Sequence, residues 1–140
     1  MKKLIALLLL LPVLASADTE TEIINLMSDC SGFWEFFAMT DDAQGDEASA
    51  KQMRERRNGA AIAAQYLLAL DYEKRTGKKK MLKEFADYVT ARSEPMKTAL
   101  LANMERQEFD LIEIEFHKCD AALEIQDKII QAVRDNEYRN

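Results

Sequence analysis

The sequence predicts an all-α protein, a disulfide-linked bundle of about four main helices that follows a cleaved signal peptide. Three observations carry this prediction. Only four Gly and two Pro occur in 140 residues, too few for the turns of an all-β domain and in keeping with long helices. Apolar residues recur at spacings of three and four along most of the chain, the period of one helical face. Two cysteines, Cys30 and Cys119, stand 89 positions apart. The length bounds the chain to one domain.

Residues 1–17 have the form of an export signal. Lys2 and Lys3 precede an apolar run from Leu4 to Leu11, and Ala15-Ser16-Ala17 sets small residues at the −3 and −1 positions of a cleavage site. The apolar run is shorter than the ~20 residues that a membrane-spanning helix needs, so no stable membrane insertion is expected. No Cys follows the small residues for lipid attachment, and no twin Arg precedes the run. Cleavage would leave one helical domain, 18–140, with 17 basic and 25 acidic groups. Such an acidic chain, sent to the periplasm or secreted, is not expected to bind nucleic acid. In an oxidising compartment the cysteines are expected to pair, and their wide separation suits a structural bridge rather than the Cys-x-x-Cys of redox catalysis.

Thr19-x-x-Glu22 reads as a capping box ahead of Ile23, Leu26, Met27, Cys30, Phe33, Trp34 and Phe37, giving a first helix over about 19–40. Asp41 to Asp46 is a polar turn, and a second helix runs on to Gly77, a natural C-cap. A third starts near Lys79 and is expected to break around Ser93-Glu94-Pro95, with Pro95 in the first turn of a new segment. From Met96 to Asn140 there is neither Gly nor Pro. One helix of that length would reach ~65 Å, so a break is expected near Gln107 to Asp110. Two basic runs, Arg54-Glu55-Arg56-Arg57 and Lys78-Lys79-Lys80, read as a solvated helix face and as charge that complements a helix C-terminus.

With Cys119 marking the inside of the last helix, Ile112, Phe116, Leu123, Ile130 and Val133 share its direction. Glu113, His117, Asp120 and Glu124 fall on the opposite flank. Met27 and His117 together resemble the ligand pattern of small haem-binding four-helix cytochromes, yet His117 points ~160° from Cys119, and no Cys-x-x-Cys-His is present. The acidic stripe lacks the Glu-x-x-His of di-iron bundles. No haem, metal or other cofactor is therefore expected. Nor is catalysis, because the one His has no nucleophile placed beside it. Arg57, on the inner seam with Met53, Ala60 and Ala64, is expected to pair with Glu108 or Glu115.

Two features exceed what a plain bundle requires. Gly59 to Leu70 holds one polar residue, Gln65, so the second helix is apolar all round. It is either the central helix or it turns Ile62, Tyr66 and Leu70 toward a partner or a second copy. Phe36 and Met39 lie on the otherwise polar side of the first helix, where the following turn covers them or a partner does. The expected candidate surface is thus Phe36, Met39, Ile62, Tyr66 and Leu70. The segment Asp29-Cys30-Ser31-Gly32-Phe33-Trp34 resembles the Cys-x-Gly-aromatic opening of small exported helical proteins, among them secretion-system immunity proteins. Size, signal and a lone bridge also resemble a family of periplasmic acid-stress chaperones. Together these make protein binding by an inhibitor or immunity-type module the expected function, with a stress chaperone as alternative and a haem or metal carrier third.

Overall fold

The computed structural model describes residues 17–136 and is helical throughout, without strands among them. Four long helices follow one another: α1 over Ala17–Gln44, α2 over Glu47–Thr76, α3 over Ala86–Glu105 and α4 over Asp110–Asp135. A single 3-10 turn, Leu82–Phe85, leads into α3. The Cys30–Cys119 bridge is present, with the two Cα atoms 5.4 Å apart. The expected signal peptide lies outside the described residues except for Ala17, the first residue of α1.

The punctuation of the chain follows its residues closely. Asp46 caps α2 by accepting a hydrogen bond from the Ser49 amide at 3.0 Å. Gly77 ends α2 in the left-handed region at φ 70°, its N–H bonded to the Glu73 carbonyl at 2.7 Å. Glu84 accepts from the Met81 amide at 2.8 Å and so fixes the start of the 3-10 turn. Helix α3 ends where a break is expected, at a turn in which Gln107 takes φ 59° without being a glycine. Several boundaries differ from expectation, and the third helix begins at Ala86, after the 3-10 turn, rather than near Lys79. Helix α1 begins before the capping box and runs four residues past 40. Helix α3 passes straight through Pro95, which forfeits one hydrogen bond, to the Ala91 carbonyl, instead of ending the helix.

Helix α1 is the most deeply buried helix of the bundle, and it and α2 each pack against all the other helices. Met27, Cys30, Phe33 and Trp34 are enclosed, and so are Ser28 and Gly32 on its other sides. At Gly32 the backbone of α3 comes so close that a Cβ would overlap the Ser93 carbonyl, so the crossing of α1 and α3 depends on that missing side chain. Gly59 makes room for a side chain rather than for backbone: a Cβ there would overlap the side-chain amide of Gln126 and displace it. Gln126 is buried and donates to the Arg56 carbonyl at 3.3 Å, a polar tie between two helices inside the core.

Several inner contacts differ from those the spacing predicts. The buried seam of α4 runs through Glu115, Cys119, Ala122, Gln126, Ile129 and Ala132. It is turned away from Phe116, which is 37% exposed and caps a cluster with Phe33, Trp34 and Phe37 at centroid distances of 6.3 to 6.4 Å. Arg57 pairs with Glu35 of α1 rather than with Glu108 or Glu115. The Arg run is not a solvated face, since Arg54 reaches Asp42 at 2.7 Å and Arg56 lies 4.7 Å from the centre of the Trp34 ring. These arginines fasten α2 to α1, and stacking on the indole is a use of Arg that a charge count does not reveal.

Candidate functional site

The five residues expected to form a partner surface do not form an exposed one, and all but Met39 belong to the core cluster or pack against it. Tyr66 is 0% exposed, and its hydroxyl accepts from the Asn136 amide at 3.2 Å, so the end of α4 covers that side of α2. Phe36 is 2% exposed, one turn beyond Gly32 on the line that α3 covers. Ile62 and Leu70 are half-buried against the core. Met39 alone stands out, at 43%. The surplus apolar residues exist because α1 and α2 each have neighbours on several sides.

An open groove of about 600 Å³ lies elsewhere, between α3 and α4 with α1 beneath. One wall is the face of α3 that carries Tyr88, Ala91, Pro95 and Ala99, and Leu111 of α4 stands opposite. Ala91, Pro95 and Ala99 recur every four residues, so small groups line up along one helical face and leave a trough. Tyr88 is 52% exposed at one end of it. Ile114, at 53%, follows Leu111 by three residues on α4 and lies outside the groove lining.

The two charges that line the groove, Asp29 and Arg92, are paired, and a second pair, Lys118 with Glu115, lies near them. Arg92 meets Asp29 of α1 in a two-pronged contact, Nε to Oδ1 at 3.0 Å and Nη2 to Oδ2 at 3.1 Å. Lys118 donates to Glu115 at 2.8 Å, and Glu115 is only 6% exposed. Burial pushes the Asp29 carboxyl above its ordinary value; Arg92 works against that shift, and the nearby Glu115 adds to it. Glu20 is raised for the same first reason. An acid with a raised value in the folded state takes up its proton there before the unfolded chain does, so acid favours folding through these two groups. The penalty of holding Asp29 charged is present in full above its raised value, and it disappears as pH falls to the ordinary carboxylate range. In thermal melts from pH 7 to pH 4, wild type is therefore expected to gain stability relative to Asp29→Asn. Wild type that loses stability relative to Asp29→Asn between pH 7 and pH 4, or keeps a constant offset from it, would contradict this.

The remaining candidates from the sequence are not brought together. Met27 is enclosed in the core, whereas the His117 side chain is 73% exposed on the outer face of α4, so the two do not face one site. His117 Nε2 lies 3.9 Å from Glu113 on that face, and among the described residues no three potential ligands converge on one point. Trp34 Nε1 is buried without an acceptor, beneath the guanidinium of Arg56.

No known family model, characterised protein or solved structure matches the chain. The likeness around Cys30 thus stands on those residues alone. Among the described residues no helix is long and apolar enough to cross a membrane.

The groove residues were accessible to sequence reasoning in part. Ala91, Pro95 and Ala99 share a spacing of four, but reading Pro95 as a helix start divides that face between two segments and conceals it. Tyr88 and Leu111 carry no signal of exposure, because a helix with one apolar residue on its flank is ordinary.

Proposed function

We propose that this is an exported protein-binding module, of inhibitor or immunity type and without catalysis, that engages its partner through the groove between α3 and α4. The observation that carries the reading is an exposed aromatic, Tyr88, at the head of a trough of small side chains whose opposite wall is Leu111. Rigid aromatic anchors beside a preformed depression supply much of the energy of protein recognition. The signal-like leader and the bridged cysteines support placement in the periplasm or outside the cell.

The chaperone alternative has less behind it. A chaperone released by acid must loosen as pH falls, and the raised carboxyls of Asp29 and Glu20 act in the opposite sense.

The test is capture from a periplasmic extract by the mature chain and by Tyr88→Glu. Tyr88 is half exposed, so the variant is expected to melt within about 0.5 kcal/mol of wild type. A protein retained by wild type and released by the variant is the expected result. Capture that is indifferent to Tyr88→Glu would remove the groove from consideration.

A further inference from the structure

We infer that the partner element seated in this groove is a cationic amphipathic helix of about three turns, its apolar face on the α3 and α4 walls and its Lys or Arg residues toward their acidic outer edges. The inference rests on the groove being a protein-binding surface and adds the chemistry of what it takes.

The shape comes from α3. Tyr88 to Ala99 covers three helical turns, a rise of about 16 Å. Along it, Ala91, Pro95 and Ala99 bring the wall close to backbone level, the relief that lets a second helix axis approach, while Tyr88 and Leu111 stand as ridges at the margins. An extended strand would seek unpaired backbone donors and acceptors in a row, and a helical wall offers none beyond the Ala91 carbonyl, which Pro95 deprives of its usual i+4 partner. An amphipathic helix needs only the apolar trough.

The charge comes from the edges. Asp87, Glu94 and Glu105 lie on one line of α3, about 90° round from the groove face on the side away from the core, and all three are exposed. On α4, Asp110 and Glu113 are exposed beyond Leu111. The nearby cations are paired, Arg92 with Asp29, Lys118 with Glu115 and Lys97 with Glu94, so the edge charge rests on Asp87 and Glu105 of α3 and on Asp110 and Glu113 of α4. A helix with basic flanks meets complementary charge on both sides, and one with acidic flanks meets repulsion.

The experiment uses the mature, oxidised chain and a fluorescent helix-forming peptide of about 14 residues, long enough to cover the wall. It is built from Leu on one face and Lys on the other, and compared with its Leu and Glu counterpart. The Leu and Lys peptide is expected to bind saturably at one per chain. Ala91→Arg and, separately, Ala99→Arg fill the trough and should weaken binding at least tenfold. Glu124→Gln changes the net charge equally on the outer face of α4 and should change binding less than twofold. Equal weakening by all three variants would mean diffuse charge attraction and overturn the proposal. So would comparable binding of the Leu and Glu peptide, absence of saturable binding, or sedimentation as a dimer that Ala91→Arg dissolves. If the peptides fail while extract capture still depends on Tyr88, the helix inference falls and the binding-module reading stands. Capture insensitive to Tyr88 removes the reading itself.

Discussion

Tyr66→Glu is expected to unfold the protein or to cost more than about 3 kcal/mol, whatever its oligomeric state. Tyr66 is fully enclosed, and its hydroxyl meets Asn136. The substitution removes the ring from a packed core, leaves the Asn136 amide without that acceptor, and places a carboxylate where it has no designed counter-charge. A small domain has only about 5–15 kcal/mol of stability in total. Met39→Glu is the natural comparison, because Met39 is 43% exposed and should tolerate the charge within about 0.5 kcal/mol. Circular dichroism melts decide between the outcomes. A Tyr66→Glu chain that melts like wild type but associates less would restore the interface role that the sequence suggests for this side of α2.

Loss of the bridge should be comparably large. The Cys30–Cys119 link closes a loop of 89 positions, and the chain-entropy relation assigns such a loop roughly 4 to 5 kcal/mol at 25 °C. The double substitution Cys30→Ala and Cys119→Ala avoids burying two hydroxyls, as both positions are 1% exposed. In urea the variant is expected to unfold at a clearly lower midpoint and with a steeper dependence, since an unfolded chain freed of the link exposes more surface. A lower midpoint with an unchanged slope would assign the effect to native packing around the sulfurs instead of to the unfolded state.

Helix number, a turn at Gly45 and Asp46, the cap at Gly77, the break before Asp110 and the cysteine pairing were all legible, because each rests on a local rule: a period, a φ preference, a compartment. What was not legible depends on which helix faces which. The aromatic wealth of Phe33, Trp34 and Phe36 marks α1 as heavily buried, but no single-helix pattern says which helices cover it. Gly32 and Gly59 look like weak points in isolated helices, and their purpose appears only when Ser93 and Gln126 are brought against them. Glu115 and Gln126 are polar residues on the inner seam of α4, so a projection centred on Cys119 and weighted by apolar side chains comes out turned toward Phe116. Pro95 misleads for a related reason. The helix that contains it is long enough, and well enough packed through Val89 and Leu100, to absorb one missing hydrogen bond.

The bridge joins α1 to α4 and passes over both α2 and α3, of which α3 packs less extensively against the rest. The staple does not reach α3, which is tied to the rest by the segment after Gly77, the turn at Gln107, the Arg92–Asp29 pair and packing that is closest at Gly32. Partial opening of α3 is thus less costly than global unfolding, and it leaves the α1/α4 staple intact. The groove is bounded by α3, which the staple does not hold, and by α4, which it does, with the Arg92–Asp29 pair to α1 between them. Anything that grips both walls at once draws α3 in and makes the whole bundle harder to unfold, by an amount that grows with the logarithm of its concentration over its dissociation constant.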